Sequence, residues 1–213
     1  MAHRPNRSCL RPRLTGEKRM LAQLVPALRI TLILTVLTGL IYPGSVTLLC
    51  QWLFPTQANG SLVVINGRIA GSRLIGQSFT QPEYFHSRPS AAGSEGYDAS
   101  SSSGSNLGPT SRQLADRVKG TVERIRRENP AYTGPLPADL ATASASGLDP
   151  HISPASAEAQ IARIARYRGA TVEELKFLVG RYTEARTLGF LGEPRVNVLL
   201  LNLELDRKFP LKR

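Results

Sequence analysis

Charge is missing from one long stretch of this 213-residue chain, because no Asp, Glu, Lys or Arg occurs between Arg29 and Arg68. Thirteen of the 25 residues from Ile30 to Phe54 are Leu, Ile, Val or Phe. As a helix this stretch would be roughly 37 Å long, and a hydrocarbon core is about 30 Å thick. We therefore predict a transmembrane helix over residues 28–54. A cleaved signal peptide is the competing interpretation, but its apolar run usually covers only about 7 to 15 residues.

Cysteine is equally scarce, with Cys9 before the predicted helix and Cys50 inside it. The part of the chain after the helix therefore has neither a disulfide nor a thiolate site. No phosphate-binding loop with a Walker lysine is present, and no histidine has a second ligand at i+3 or i+4, so nothing supports a metal site. Asp149 and His151 could imitate part of a catalytic triad, although Asp149-Pro150 is more typical of a turn.

The uneven distribution of charge predicts the topology. Seven basic residues and one acidic residue precede the span, and 20 basic and 15 acidic residues follow it. The positive-inside rule then places the N-terminus in the cytoplasm and the C-terminal domain outside it. More than half of the net charge of +11 serves topology and contact with anionic membrane lipid. We therefore predict no nucleic-acid partner.

Three segments result from this division. Residues 1–27 form a basic cytoplasmic tail, residues 28–54 the transmembrane helix, and residues 55–213 a mixed α/β extracytoplasmic domain of the α+β class. Within that domain, residues 86–110 are rich in Ser and Gly. Such a loop is either a flexible linker or a segment that wraps a partner.

Local signals predict a hairpin at the start of the domain. Asn66-Gly67 between β-prone runs favours strands at about 61–65 and 68–71, and 74–77 could extend the sheet. Near the end of the chain, the apolar run 196–203 is typical of a buried strand, which we expect to pair with the hairpin.

Three helices are predicted between the hairpin and the last strand. The first begins with a capping box of Thr110 and Gln113 and ends at Asn129, before a proline. The second starts with Ser153 as N-cap and Pro154, and it ends at Gly169. The third starts with a capping box of Thr171 and Glu174.

Two sets of residues are candidates for contacts with a partner or ligand. Gln160 lies beside the apolar stripe of the second predicted helix, where its amide could bind backbone, a partner or a ligand. A surface or capping role is the default for such a residue. Thr31, Thr35 and Gly39 recur every four residues of the span, and small residues in that pattern let a partner helix approach closely.

The order of motifs resembles the KdpC family, the C subunit of a bacterial P-type potassium-transporting ATPase. The matching segments lie in the expected order between residues 28 and 206. They are residues 42–43 with 51–52, 57–62, 71–77, 84–90, 104–108, 142–153 and 202–206.

The resemblance implies a non-enzymatic accessory subunit of an inner-membrane potassium uptake complex. Its partners would be a P-type ATPase B subunit, a channel-like potassium-binding A subunit and a small F subunit. The family is described as needed for assembly and as a catalytic chaperone that raises the ATP affinity of the B subunit. No cofactor would bind tightly, and ATP would be met only in a ternary complex, with Gln160 matching the implicated glutamine. The chain itself lacks the Asp-Lys-Thr-Gly motif of the phosphorylated subunit.

The charge pattern conflicts with direct nucleotide contact, since it places Gln160 across the membrane from ATP. We therefore expect the domain to dock on the outer face of the channel-like subunit and to change ATP affinity indirectly. A stand-alone membrane-anchored hydrolase of the cell envelope is the alternative function.

Overall fold

The computed structural model describes residues 16–211 as two compact units, one ending at Asn59 and one beginning at Gly60. The first unit is helical. Helix α1 covers Gly16–Val36, a π-helical segment covers Leu37–Ile41, α2 covers Tyr42–Leu53 and the single turn α3 covers Pro55–Ala58. The stretch Ala22–Leu53 is long and apolar enough to cross a membrane, which confirms the prediction of one N-terminal apolar helix.

Helix α1 begins within the predicted basic tail. Residues 16–27 belong to α1, because Glu17 to Leu24 are mostly residues of high helix propensity. Residues 1–15 of that tail lie outside the described residues.

The π-helical segment explains how the span accommodates its proline. Pro43 has no N–H, so the carbonyl of Gly39 loses its usual i+4 donor. Immediately before Pro43, the backbone N–H of Tyr42 donates to the carbonyl of Leu37 in the i+5 pattern of a π-helix. The widened turn thus lies directly ahead of the residue that cannot donate.

The second unit begins with the predicted hairpin. Strand β1 (Leu62–Ile65) pairs with the antiparallel β2 (Arg68–Ser72). Asn66 and Gly67 have φ angles of +50° and +75°, as a two-residue type I′ turn requires. The predicted extension over 74–77 is wrong, because Gly76 instead approaches a distant loop and donates to the carbonyl of Leu148.

The remaining helices follow the hairpin and the long loop. They are α4 (Arg112–Glu128), the single turn α5 (Ala138–Ala141), α6 (Pro154–Arg168), α7 (Val172–Arg181) and α8 (Val198–Lys208). The short strands β3 (His151–Ile152), β4 (Thr183–Glu184) and β5 (Arg195–Asn197) form a second sheet with β5 in the centre.

Most predicted caps are confirmed. Ser153 accepts from Ser156 N, Gly169 ends α6 with a φ of +65°, and Thr171 forms the capping box with Glu174. The cap of α4 is corrected, because Ser111 accepts from the backbone N–H of Leu114. The predicted Thr110–Gln113 capping box is therefore wrong, and the N-cap lies one residue later, at Ser111.

The predicted strand over 196–203 is the main error. Only Val196 and Asn197 belong to a strand, and Val198 onward forms α8. Asn197 accepts from the backbone N–H of Leu200 and so caps this helix. Helix α8 is buried on several faces, which gives an apolar run without helical periodicity. The expected pairing with the hairpin is wrong as well, because β5 pairs with β3 and β4.

A single main core holds this unit together. Helices α6, α7 and α8 pack their apolar side chains around Phe85, which comes from the segment before the long loop and is fully buried. The largest fully buried side chain of this unit is thus supplied by a segment without helix or strand.

Candidate functional site

The segment Pro82–Arg88, here called the strap, crosses the core between α6 and α8 in irregular conformation. Because it has no strand neighbour, its buried backbone groups need partners from side chains. Two buried amides supply them. Asn202 of α8 accepts from Phe85 N and donates to Phe85 O, both at 2.9 Å.

Gln160 of α6 forms the same kind of pair with the next residue. Its Oε1 accepts from His86 N at 2.8 Å, and its Nε2 donates to His86 O at 3.2 Å. Oε1 also accepts from Arg163, and Nε2 also donates to the carbonyl of Ser156. The default of a surface role is therefore wrong. Gln160 is 2% exposed, and both donor protons and both acceptor directions of its amide are used within the domain.

Two buried arginines of α6 hold the start of the strap. Arg163 donates to the carbonyl of Pro82 and, through Nε, to Asn129 at 3.0 Å. Arg168 donates to the carbonyl of Glu83 and forms an ion pair with Asp206 at 2.8 Å. Every carbonyl from Pro82 to His86 except that of Tyr84 thus accepts from a buried side chain.

A cavity of about 170 Å³ lies beside the strap. His86, Arg88 and Gln160 line one part of it, and Tyr97 and Glu128 line another. Pockets for small molecules usually measure about 300 to 1,000 Å³. The cavity is therefore too small to enclose a nucleotide.

His86 is one of the titratable groups whose pKa this packing shifts. Burial lowers its pKa, and the charge of Arg163 lowers it further. These effects outweigh two contacts that favour the charged ring, the carbonyl of Gln81 at 3.0 Å from His86 Nε2 and Glu128 Oε2 at 3.4 Å from His86 Nδ1. The folded domain therefore favours neutral His86.

This shift predicts a loss of stability in mild acid. As the pH falls below about 6.5, the ordinary pKa of histidine, the unfolded chain takes up a proton that the folded domain binds only at lower pH. We expect the free energy of unfolding to fall between about pH 7 and pH 5, and His86→Gln to weaken this dependence. Unfolding of the detergent-solubilised chain at several pH values measures it, with His151→Gln as control. Identical pH dependence in wild type and His86→Gln would contradict the assignment.

The Ser- and Gly-rich loop is tied to the segment 143–153. Ser90 Oγ donates to the carbonyl of Gly147 at 2.6 Å, and Ser102 Oγ donates to the carbonyl of Ser146 at 2.9 Å. Tyr97 donates to the carbonyl of Arg88 at 2.7 Å, and burial raises its pKa to about 12. The serines of this loop therefore substitute for regular backbone pairing.

Asp149 and His151 are close, as a partial triad requires, but their partners are structural. Asp149 accepts from the backbone N–H of His151 and from Arg88 Nη1 at 2.8 Å. Burial alone would raise the pKa of Asp149, yet the contacts with the side chain of His151, whose Nδ1 lies 3.5 Å away, with the backbone of His151 and with Arg88 lower it overall. Ser153, in the same open groove, donates to Asp139 and caps α6. These contacts give the hydrolase alternative no support.

An exposed apolar hairpin lies between β4 and β5. In its segment Thr187–Leu191, here called the apolar tip, Leu188 is 79% and Phe190 70% exposed. Leu188 also adopts a φ of +55°, which costs a non-glycine residue about 1 to 2 kcal/mol. Two ion pairs brace the hairpin below the tip, Arg186 with Glu193 and Glu184 with Arg195. The apolar side chains of the tip are thus exposed to the surroundings, although the backbone strain at Leu188 lowers the stability of the domain.

The small residues of the span lie in the first unit. Thr31 and Thr35 are on α1, and Gly39 is in the π-helical segment. All three are exposed in that unit, and apart from the adjacent residues and the helix's own backbone, no heavy atom of the described residues lies within 4 Å of a Cβ built on Gly39. Gln160 belongs to the other unit.

Fold and site together define a protein with one N-terminal apolar helix, long enough to cross a membrane, and an α+β domain that uses its buried polar groups to hold its own backbone. The family described as "K+-transporting ATPase, c chain" matches residues 24–207. The potassium-transporting ATPase KdpC subunit of Myxococcus xanthus is 58% identical over 191 residues, 89% of this chain and 90% of that protein. The KdpC subunit of Koribacter versatilis is 55% identical, over 90% of this chain and 98% of its own length.

The chain belongs to the KdpC family of potassium-transporting ATPase subunits. The names of these relatives agree with a non-catalytic role in potassium transport.

Proposed function

We propose that this chain works by contact, as the accessory subunit that assembles and stabilises a Kdp potassium-transporting ATPase. The observation that carries the proposal is the apolar tip, whose Leu188 is both strained and exposed. Exposed apolar groups on a strained, braced hairpin are typical of a binding surface. The partners are the channel-like A subunit, the ATP-hydrolysing B subunit and the small F subunit.

The tip is tested by copurification from membranes that contain all subunits. Leu188→Ser with Phe190→Ser removes the apolar contact while leaving the core untouched, so we expect the partner subunits to be lost at unchanged thermal stability. Phe177→Ser is the matched control, since Phe177 is also exposed, at 69%, but lies on α7. Full recovery of the partners with the tip variant would contradict the proposal.

The membrane helix is the second proposed contact. Thr31 and Thr35 share one face of α1, where small side chains allow close helix packing. Replacing Thr31, Thr35 and Gly39 by Leu should reduce copurification in the same assay. Unchanged recovery would show that this face meets lipid instead.

We propose that the domain lies outside the cytoplasm. The support is the excess of six positive charges before the span, against none from Pro55 to Gly67. A cysteine in place of exposed Ser101 should react with a membrane-impermeant maleimide in intact cells. Protection until the cells are broken would reverse the topology.

For the catalytic-chaperone role we propose an indirect effect on ATP affinity. All four hydrogen bonds of Gln160 are made within the domain, and a nucleotide could bind this amide only by displacing one of them. Docking of the domain would then change ATP affinity through the partner subunits. Gln160→Glu tests this proposal, because a raised KM for ATP at full stability would indicate direct contact with nucleotide.

A further inference from the structure

The β1–β2 hairpin carries a second group of exposed apolar side chains, far along the chain from the apolar tip. Val64 and Ile69 are cross-strand partners and are 58% and 65% exposed. Cross-strand partners lie on the same face of a sheet, and Leu62, two residues from Val64 and 47% exposed, shares that face. These three residues form what we call the hairpin face.

The opposite face of the hairpin rests on the domain. Gly71, the partner of Val63, lies so close to Leu199 that a built Cβ would be 3.1 Å from its Cδ2. Gln77 donates to the carbonyl of Ala70 at 2.9 Å, and Asn197 donates to the carbonyl of Arg73 at 2.8 Å. These contacts hold the opposite face of the hairpin against the domain, so the hairpin face is directed away from the domain core.

The charge of this region has one sign. Residues 55–82 contain Arg68 and Arg73 but no Asp or Glu. Both arginines are exposed and lie at the two ends of β2, Arg73 directly after it and Arg68 directly after the turn. Arg68 pairs with Ile65 and so starts from the opposite face, but at this end of the hairpin its side chain is long enough to reach either side. An exposed apolar face flanked by arginines, without an acidic residue, matches a bilayer surface that contains anionic phospholipid.

The short link between the apolar helix and the hairpin also favours the bilayer surface as the binding partner of the hairpin face. Seven residues separate Phe54, at the end of the predicted span, from Leu62. Even a fully extended chain limits this distance to about 30 Å, since each residue adds at most about 3.6 Å. The bilayer surface is therefore within reach of this hairpin on whichever side of the membrane the domain lies.

We propose that the hairpin face binds the surface of the bilayer, with Val64 and Ile69 at the level of the lipid headgroups and Arg68 and Arg73 on anionic phosphates. The domain is then held at the membrane by a lipid contact in addition to its helix. This contact does not depend on the partner subunits or on the topology proposed above.

Tryptophan fluorescence of the full chain in nanodiscs tests the proposal. Trp52 is the only natural tryptophan, so Trp52→Phe provides a silent background for Ile69→Trp, with Val64→Trp as a second probe. The nanodiscs contain phosphatidylglycerol and phosphatidylethanolamine with brominated acyl chains, which quench a nearby indole. Phe190→Trp at the apolar tip is the matched exposed control.

We expect strong quenching and a blue-shifted emission at position 69 or 64, and neither at position 190. Each arginine near an anionic surface contributes about 1 kcal/mol, so Arg68→Gln and Arg73→Gln should each weaken the association about fivefold. Purely zwitterionic lipid should reduce the quenching in the same way.

Water-like, unquenched emission from both probes would overturn the proposal, as would quenching that does not depend on lipid charge. If the two tryptophan probes were shielded from water only when the partner subunits were present, a protein contact would replace the proposed lipid contact.

Discussion

Gln160→Leu should destabilise the domain by about 2 to 6 kcal/mol, since two buried backbone groups each lose a partner at about 1 to 3 kcal/mol. Leucine fills a similar volume at this 2% exposed position but cannot bond to His86 N or His86 O. Arg163 keeps its hydrogen bonds to Asn129 and to the carbonyl of Pro82, which limits the loss of stability. Chemical unfolding of the detergent-solubilised chain measures the loss.

Gln113→Leu is the matched control, because Gln113 undergoes the same chemical change on exposed α4. A surface substitution of this kind usually changes stability by less than about 0.5 kcal/mol. Equal stability of the two variants would contradict the account of the strap.

A second variant separates a structural role of Gln160 from nucleotide contact. Gln160→Glu keeps the acceptor for His86 N and Arg163 but loses the donor to His86 O and Ser156 O. We expect lower stability, and an unchanged KM for ATP in whatever complex still assembles. A raised KM at full stability would instead indicate direct contact with nucleotide.

Phe85→Ala should cost about 3 to 5 kcal/mol, the usual range for removing a buried aromatic ring. Phe85 is fully buried and belongs to the core formed by α6, α7 and α8. Its backbone is fixed by Asn202 on both sides, so the strap cannot collapse freely into the space left behind. The midpoint of chemical unfolding measures the effect.

Phe177→Ala is the control, because the same deletion at a 69% exposed side chain removes little buried area. A cost of less than about 1 kcal/mol for Phe85→Ala would mean that the strap is not part of the core. Phe85→Leu should recover much of the loss, as volume is then mostly conserved.

The elements that sequence reasoning predicted correctly depend on neighbours within a few residues. Asn66-Gly67 sets the sign of two φ angles, and the cap at Thr171 is complete within four residues. The apolar span depends on composition alone. Such signals are contained in the local sequence, so no knowledge of tertiary packing is needed.

The elements that were missed depend on distant partners. The sequence predicts a strand in place of α8, because burial of this helix on several faces hides the helical period. The contacts of the strap join residues 74 and 117 positions apart, which no local pattern reports. One usable signal existed in Asn202, a polar residue within an apolar run. A buried amide in such a run indicates a specific hydrogen-bond partner.

The apolar tip was missed for another reason. Leu188 and Phe190 look like ordinary core residues in the sequence, and only their exposure and the positive φ of Leu188 set them apart. Arg163 likewise reads as a surface charge on a helix, yet it is buried. Composition does not tell which side of a helix or turn faces the core.

Potassium-dependent ATP hydrolysis most directly tests whether the chain acts by contact and not by chemistry of its own. The assay compares the purified chain alone, a complex prepared without it, and that complex after the chain is added back. The account predicts no turnover by the chain alone and restored turnover on addition of wild type, but not of the Leu188→Ser, Phe190→Ser variant. Hydrolysis by the isolated chain, or full restoration by that variant, would contradict it.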